Sequence, residues 1–290
     1  MKPTLILPLI CAAAAVLFVS AGPDKERAPA GAADKIKEAL PDEGYAKPSK
    51  ERTILVFSKT AGFRHKSIPT GKLALTEMGE NTGAFKTVIS DDITNFEPGK
   101  IDRFDAIVFL NTTGEPFKGA KNEEELKKSF MNFVKSGKGF IGIHSATDTG
   151  YKWPEYGEMI NGYFDGHPWR AGTQVHIDVE PGKEAHPLVA MFEGKPLEFK
   201  EEIYQLKDPY DSKKVEMLLR LDPEKSGKVK GMKRKDNDYG VAWARHWGKG
   251  RVFYCSLGHN DDIYWHPKVL RHYLAGIQWA IGDYEVEVSK

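Results

Sequence analysis

The stretch Gly139-Phe140-Ile141-Gly142-Ile143-His144-Ser145-Ala146-Thr147 decides the fold. An apolar strand ends abruptly at a histidine flanked by small residues. That is the layout of a nucleophile elbow, a tight strand-to-helix turn that lifts one side chain at the carboxyl edge of a sheet. Such elbows carry Ser or Cys at the apex, and here the apex is His144. An imidazole is an acid, a base or a metal ligand far more often than a covalent nucleophile. Ser145 fits less well as the apex, because a G-x-S-x-G elbow centred on it needs glycine where Ile143 and Thr147 stand.

Working outward, Thr53–Phe57 is a continuous apolar run, as in a buried central strand. Ile68, Leu73, Leu75 and Met78 have helical spacing, and strands follow at Phe85–Ile89 and Asp105–Leu110. Asn122–Lys135 is an amphipathic helix with Leu126, Phe130, Phe133 and Val134 on one face. Strand, helix, strand, strand, helix, strand predicts an α/β fold with a doubly wound, mostly parallel, flavodoxin-like sheet. Such sheets bind ligands at the carboxyl ends of their strands. Beyond Thr147 the pattern changes to strands joined by polar loops, at 174–179, 197–206, 215–221, 240–247 and 251–255, which adds β-hairpins in the second half. A last helix is predicted over His266–Ile281.

The ends are of a different kind. Lys2, the apolar run Leu5–Val19 and the small residues Val19-Ser20-Ala21 read as a signal peptide over 1–21, too short and too proline-broken for a membrane anchor of about 20 apolar residues. The expected location is the periplasm or the exterior, with no stable membrane insertion after cleavage. Residues 22–50 read as a flexible leader, and 51–285 as a single α/β domain. The full chain has 42 basic and 41 acidic side chains, so loss of Lys2 leaves the mature chain neutral. No basic stripe recommends a nucleic acid. Cys11 leaves with the signal and Cys255 remains alone inside an apolar strand, so no intramolecular disulfide forms and a buried core thiol is expected.

Five places carry chemistry. Thr60-Ala61-Gly62-Phe63-Arg64-His65 follows the first strand, and His144 stands at the elbow. Gly162-Tyr163-Phe164-Asp165-Gly166-His167-Pro168-Trp169 brackets an acid and a histidine with aromatics. In Phe199-Lys200-Glu201-Glu202-Ile203-Tyr204, alternation puts Glu202 with Tyr204 on one face and Glu201 with Ile203 on the other. Ser256-Leu257-Gly258-His259-Asn260-Asp261-Asp262 follows the last strand. If the three strands run parallel, His65, His144 and His259 meet at one edge. Three histidines, or two with Glu202, suit a divalent metal such as zinc or manganese, and Asp261 or Asp262 is an alternative carboxylate. Without a metal the same set serves acid–base chemistry. The expected catalytic groups are His144, His259 and Glu202, with Arg64, His167, Trp169 and Tyr204 binding substrate. No nucleotide cofactor is expected.

Taken in order, these motifs resemble the ThuA-like family, named for a trehalose-utilisation protein. The matching elements are Ala61-Gly62-Phe63-Arg64-His65 with Ser67-Ile68, Gly139–Ala146, Gly162–Pro168, His186-Pro187, Glu201-Glu202-x-Tyr204, and Gly250–Tyr254 running into Leu257-Gly258-His259. The resemblance spans roughly residues 52–282. It implies the fold of class I glutamine amidotransferases, with His144 where those enzymes carry cysteine, so glutamine hydrolysis by that route is not expected. It also implies a link to disaccharide and oxidised-sugar catabolism. The expectation is a hydrolase or lyase/isomerase acting on a small carbohydrate, as a monomer or an oligomer. The alternatives are a non-catalytic sugar-binding protein and a hydrolase using Ser145 with His259.

Overall fold

A computed structural model describes residues 27–288. The expected signal stretch, 1–21, lies outside the described residues. Eleven strands form among them: β1 (Thr53–Phe57), β2 (Lys86–Ile89), β3 (Ala106–Leu110), β4 (Gly139–Ile143), β5 (Tyr163–Phe164), β6 (Gln174–Val179), β7 (Leu197–Lys200), β8 (Leu206–Lys207), β9 (Glu216–Leu221), β10 (Gly240–Trp247) and β11 (Gly250–Cys255). Nine of them make one sheet in the order β2-β1-β3-β4-β11-β10-β9-β6-β7. The core strands from β2 to β11 are parallel, and the next four are added antiparallel. The parallel part has the flavodoxin-like order, in which the chain reverses direction beside β1. β11 fills the fifth place only after the antiparallel excursion.

Both faces of the parallel strands are apolar because both are covered. Ile54, Val56, Val108, Leu110, Ile141 and Ile143 pack under α2 (Ile68–Thr82) and α5 (Pro267–Ala280). Leu55, Phe57, Ile107, Phe109 and Phe140 face α3 (Glu123–Lys135) and α4 (Pro154–Ile160). Neighbouring residues in each strand thus serve opposite layers. Cys255 is fully buried, and burial pushes its thiol up to about 12, where it is inert.

Two expectations change. The leader is not mobile throughout: residues 32–39 form α1 (Ala32–Ala39), with Ala32, Ile36 and Ala39 buried. Their spacing makes a narrow apolar stripe, and Lys35 lies over the Trp265 ring at 4.6 Å. Downstream, Gln278 receives the Tyr45 amide and donates to the Ala46 carbonyl, tying this segment to α5. Residues 197–206 are not one strand. β7 ends at Lys200, the chain crosses the mouth of the sheet, and β8 pairs with β5 in a separate ribbon. Among the described residues no helix is long and apolar enough to cross a membrane.

Candidate metal centre

Parallel alignment brings the carboxyl ends of β1, β4 and β11 to one edge of the sheet, with β3 between β1 and β4, and each is followed by one histidine of a cluster. His65, His144, His259 and Glu202 each offer one ligand atom, and the four atoms lie within 4.8 Å of one another. His144 occupies the elbow with φ 49°, a left-handed backbone that non-glycine residues seldom adopt. The side chain is fully buried rather than lifted into solvent, because Tyr204 packs against it at 4.6 Å and His65 at 4.7 Å.

Hydrogen bonding fixes the imidazole tautomer. His144 Nδ1 lies 2.7 Å from the Ser256 carbonyl, which can only accept, so Nδ1 carries the proton. The lone pair is then at Nε2, and it points at His65 Nε2, 3.1 Å away. His65 Nδ1 has Ser145 Oγ at 3.4 Å. A histidine whose far nitrogen donates to a backbone carbonyl is the usual arrangement of a metal ligand. His259 Nδ1 is buried 3.1 Å from Glu202 Oε1 yet makes no hydrogen bond. An orphaned imidazole nitrogen and a carboxylate converging without bonding to each other fit a divalent cation between them. Small side-chain rotations reach the roughly 2 Å bonds of a first-row ion. Asp261 instead accepts from Thr70 at 2.5 Å, so Glu202 is the carboxylate of the cluster.

Burial lowers the pKa of His65 to about 3, helped by the nearby His259 and His167, and holds His144 well below its ordinary value. Buried His272 is lowered to about 4 for the same reason. Unfolded imidazoles titrate near 6.5. Below that pH the unfolded chain binds protons that the fold refuses, so stability is complete above pH 6.5 and falls as pH drops toward 3. Each such group contributes up to about 1.4 kcal/mol per pH unit. Urea midpoints of the metal-free protein should therefore fall clearly between pH 7 and pH 5, and a flat profile would refute this assignment.

The loop carrying His259 is held by a residue that the sequence reading left without a role. Glu201 is fully buried and accepts from the backbone amides of Gly258, His259 and Asn260 at 3.2, 2.6 and 3.2 Å. Burial raises its pKa well above the carboxylate range, and these three donors oppose the rise. Strand-like alternation then sends the adjacent Glu202 the opposite way, into the cluster. Ser67 and Asn111 donate to the Gly258 carbonyl at 2.8 and 2.9 Å. Gly258 has φ 131°, and a Cβ there would lie 2.6 Å from the Tyr264 hydroxyl, so only glycine lets the loop lie this close. The polar run after Leu110 was the available signal for Asn111.

The expected substrate-binding residues separate. Tyr204 lines the cluster, and His167 sits half-exposed at its mouth with Nδ1 3.7 Å from Glu202 Oε2. Arg64 donates from Nη1 to the Ser58 carbonyl, bracing its own loop. Trp169 is a correction: it is fully buried, with its ring on Tyr239 at 4.8 Å and its Nε1 donating to Gly227. It has no face to offer a sugar.

The fold has solved counterparts. A ThuA-like protein from Bacteroides uniformis superposes with TM-score 0.63 at 20% identity, over 81% of this chain and 94% of its own. A second, from Parabacteroides merdae, gives 0.55 at 19%, over 81% and 91%. A cytoplasmic protein from Salmonella typhimurium gives 0.53 at 13%, over 79% and 98%. At these identities the likeness speaks for the fold, that of class I glutamine amidotransferases. Curated proteins give no match. The ThuA family profile, described as trehalose utilisation, matches residues 53–280. With the order of the sheet and the motifs along it in agreement, the chain belongs to the ThuA family, whose role lies in carbohydrate metabolism.

Proposed function

We propose that this chain is an exported enzyme of carbohydrate catabolism, a hydrolase or lyase/isomerase acting on a disaccharide or keto-sugar, with a divalent metal held by His65, His144, His259 and Glu202. The observation that carries the metal is the His144 tautomer, whose lone pair at Nε2 is aimed at the point where the other three groups converge. The family carries the carbohydrate. Export rests on the signal-like run at 1–21.

When bound, a cation here supplies Lewis-acid polarisation of a sugar oxygen or an activated water. The protein's own groups do the rest. Ser256 and Ser145 hold the imidazoles of His144 and His65 in place. Glu202 Oε2 lies 3.7 Å from His167 Nδ1, so a proton would pass between them only through an intervening water or substrate hydroxyl. The placement of Ser145 does not favour a serine hydrolase built on His259, since its neighbour is His65.

The test is metal content by plasma mass spectrometry on chain recovered from the periplasm, with its N-terminus sequenced and Gly22 expected first. Near-stoichiometric zinc, manganese or a similar ion is expected, with turnover of a keto-sugar or disaccharide that stops on chelation. Metal-free protein that also rejects added metal sinks the metal reading, and an uncleaved N-terminus sinks export.

A further inference from the structure

Phe63 is 63% exposed, the most open of the large hydrophobic side chains among the described residues. A single exposed apolar residue is ordinary. What sets this one apart is the structure invested in holding it out. The Ala61 amide donates to the Thr113 carbonyl at 2.8 Å, and the Gly62 amide donates to Thr113 Oγ1 at 3.1 Å. That hydroxyl in turn donates to the Phe63 carbonyl at 2.9 Å. Thr113 is itself buried, so the loop is clipped on both sides of the exposed ring. Burying a phenylalanine stabilises a fold, and this loop gives up much of that contribution.

The ring also stands against the cluster. It meets His65 edge-on at 4.8 Å. On the Glu202 side, Phe164 packs on Tyr204 at 4.5 Å, and His167 stacks on Phe164 at 5.7 Å. Aromatic rings therefore border the four polar groups on two flanks. A pyranose has an apolar C–H face and a polar rim of hydroxyls, which is the pattern this surface complements: rings for the face, imidazole and carboxylate for the rim.

We propose that Phe63 is a sugar-stacking platform, a subsite that seats one pyranose ring of a glycoside beside the His65–His144–His259–Glu202 cluster. This rests on the reading of the site as carbohydrate-handling, and it gives the mouth of the cluster the stacking role that buried Trp169 cannot fill. Pre-clipping of the loop means that little order is lost when a sugar binds.

The test is calorimetric titration of the metal-loaded protein with trehalose, sucrose and maltose. Wild type should bind at least one of them. Phe63→Ala should weaken that affinity at least tenfold with metal content unchanged, Phe63→Leu should not restore it, and Phe63→Trp should. Equal affinity in Phe63→Ala and wild type overturns the proposal, as does a wild type that binds none of the three sugars. The two readings fail separately: Phe63-dependent sugar binding by a protein that takes up no metal removes the metal and leaves the platform. A metal-loaded enzyme turning over sugar with Phe63→Ala kinetics like wild type does the reverse.

Discussion

Under the proposed metal centre, His144→Asn should fold and lose the metal. The asparagine amide can still donate to the Ser256 carbonyl, replacing the Nδ1 contact at 2.7 Å, while nothing replaces Nε2. Asparagine also tolerates the φ of 49° at this position better than alanine does. His144→Ala combines ligand loss with backbone strain and a buried void, so it is the less clean variant. Loss of an outer-shell partner costs metal sites about 10–100-fold in affinity, and loss of a ligand should exceed that. The expected outcome is an affinity at least ~100-fold weaker, metal content near zero after dialysis, and no turnover, with circular dichroism like wild type. A His144→Asn protein that keeps a full complement of metal would remove this histidine from the centre.

The second large effect is on stability. Glu201→Ala strands three backbone amides, at Gly258, His259 and Asn260, around the fully buried carboxyl they now share. Each unsatisfied buried donor costs about 1–3 kcal/mol, so the three together should cost on the order of 3 kcal/mol or more. Urea denaturation should show a loss of about that size, with weaker metal binding because the stranded loop carries His259. Glu201→Gln keeps one acceptor oxygen and sets an NH2 against the same donors, so its loss should be intermediate. A loss below about 1 kcal/mol in Glu201→Ala would show that the loop is held by Ser67 and Asn111 alone.

The strand ends were legible because a buried parallel strand writes itself as an apolar run and stops at a polar residue. Thr53–Phe57, Gly139–Ile143 and Arg251–Cys255 all announce themselves so; His144 follows at once, His259 and His65 in the loops that come after. The alternation in Glu201-Glu202 also separated the two carboxylates onto opposite faces, even though the residues proved not to lie in a strand. What takes up Glu201 was not legible, since its partners are amides of a loop distant in sequence, and an amide leaves no trace in residue type. Trp169 was misread for a related reason. Its neighbours Gly166, His167 and Pro168 have the composition of a pocket, but the isolated bridge from Trp169 to Ile203 turns the indole inward to Tyr239. In α1 the apolar stripe is only Ala32, Ile36 and Ala39, too sparse to stand out from a polar leader.

The late arrival of β11 next to β4 has a kinetic consequence. The cluster takes His65 from the chain after the first strand, His144 from the elbow after β4, Glu202 from the crossing segment and His259 from the chain after the last strand, so no fragment shorter than residues 65–259 holds it. It can be assembled only after the antiparallel excursion has closed a long loop, the slow kind of contact in folding. A cation bound there would clamp together parts of the chain that come apart only when the whole sheet opens, and its grip would be felt as a slower rate of global unfolding.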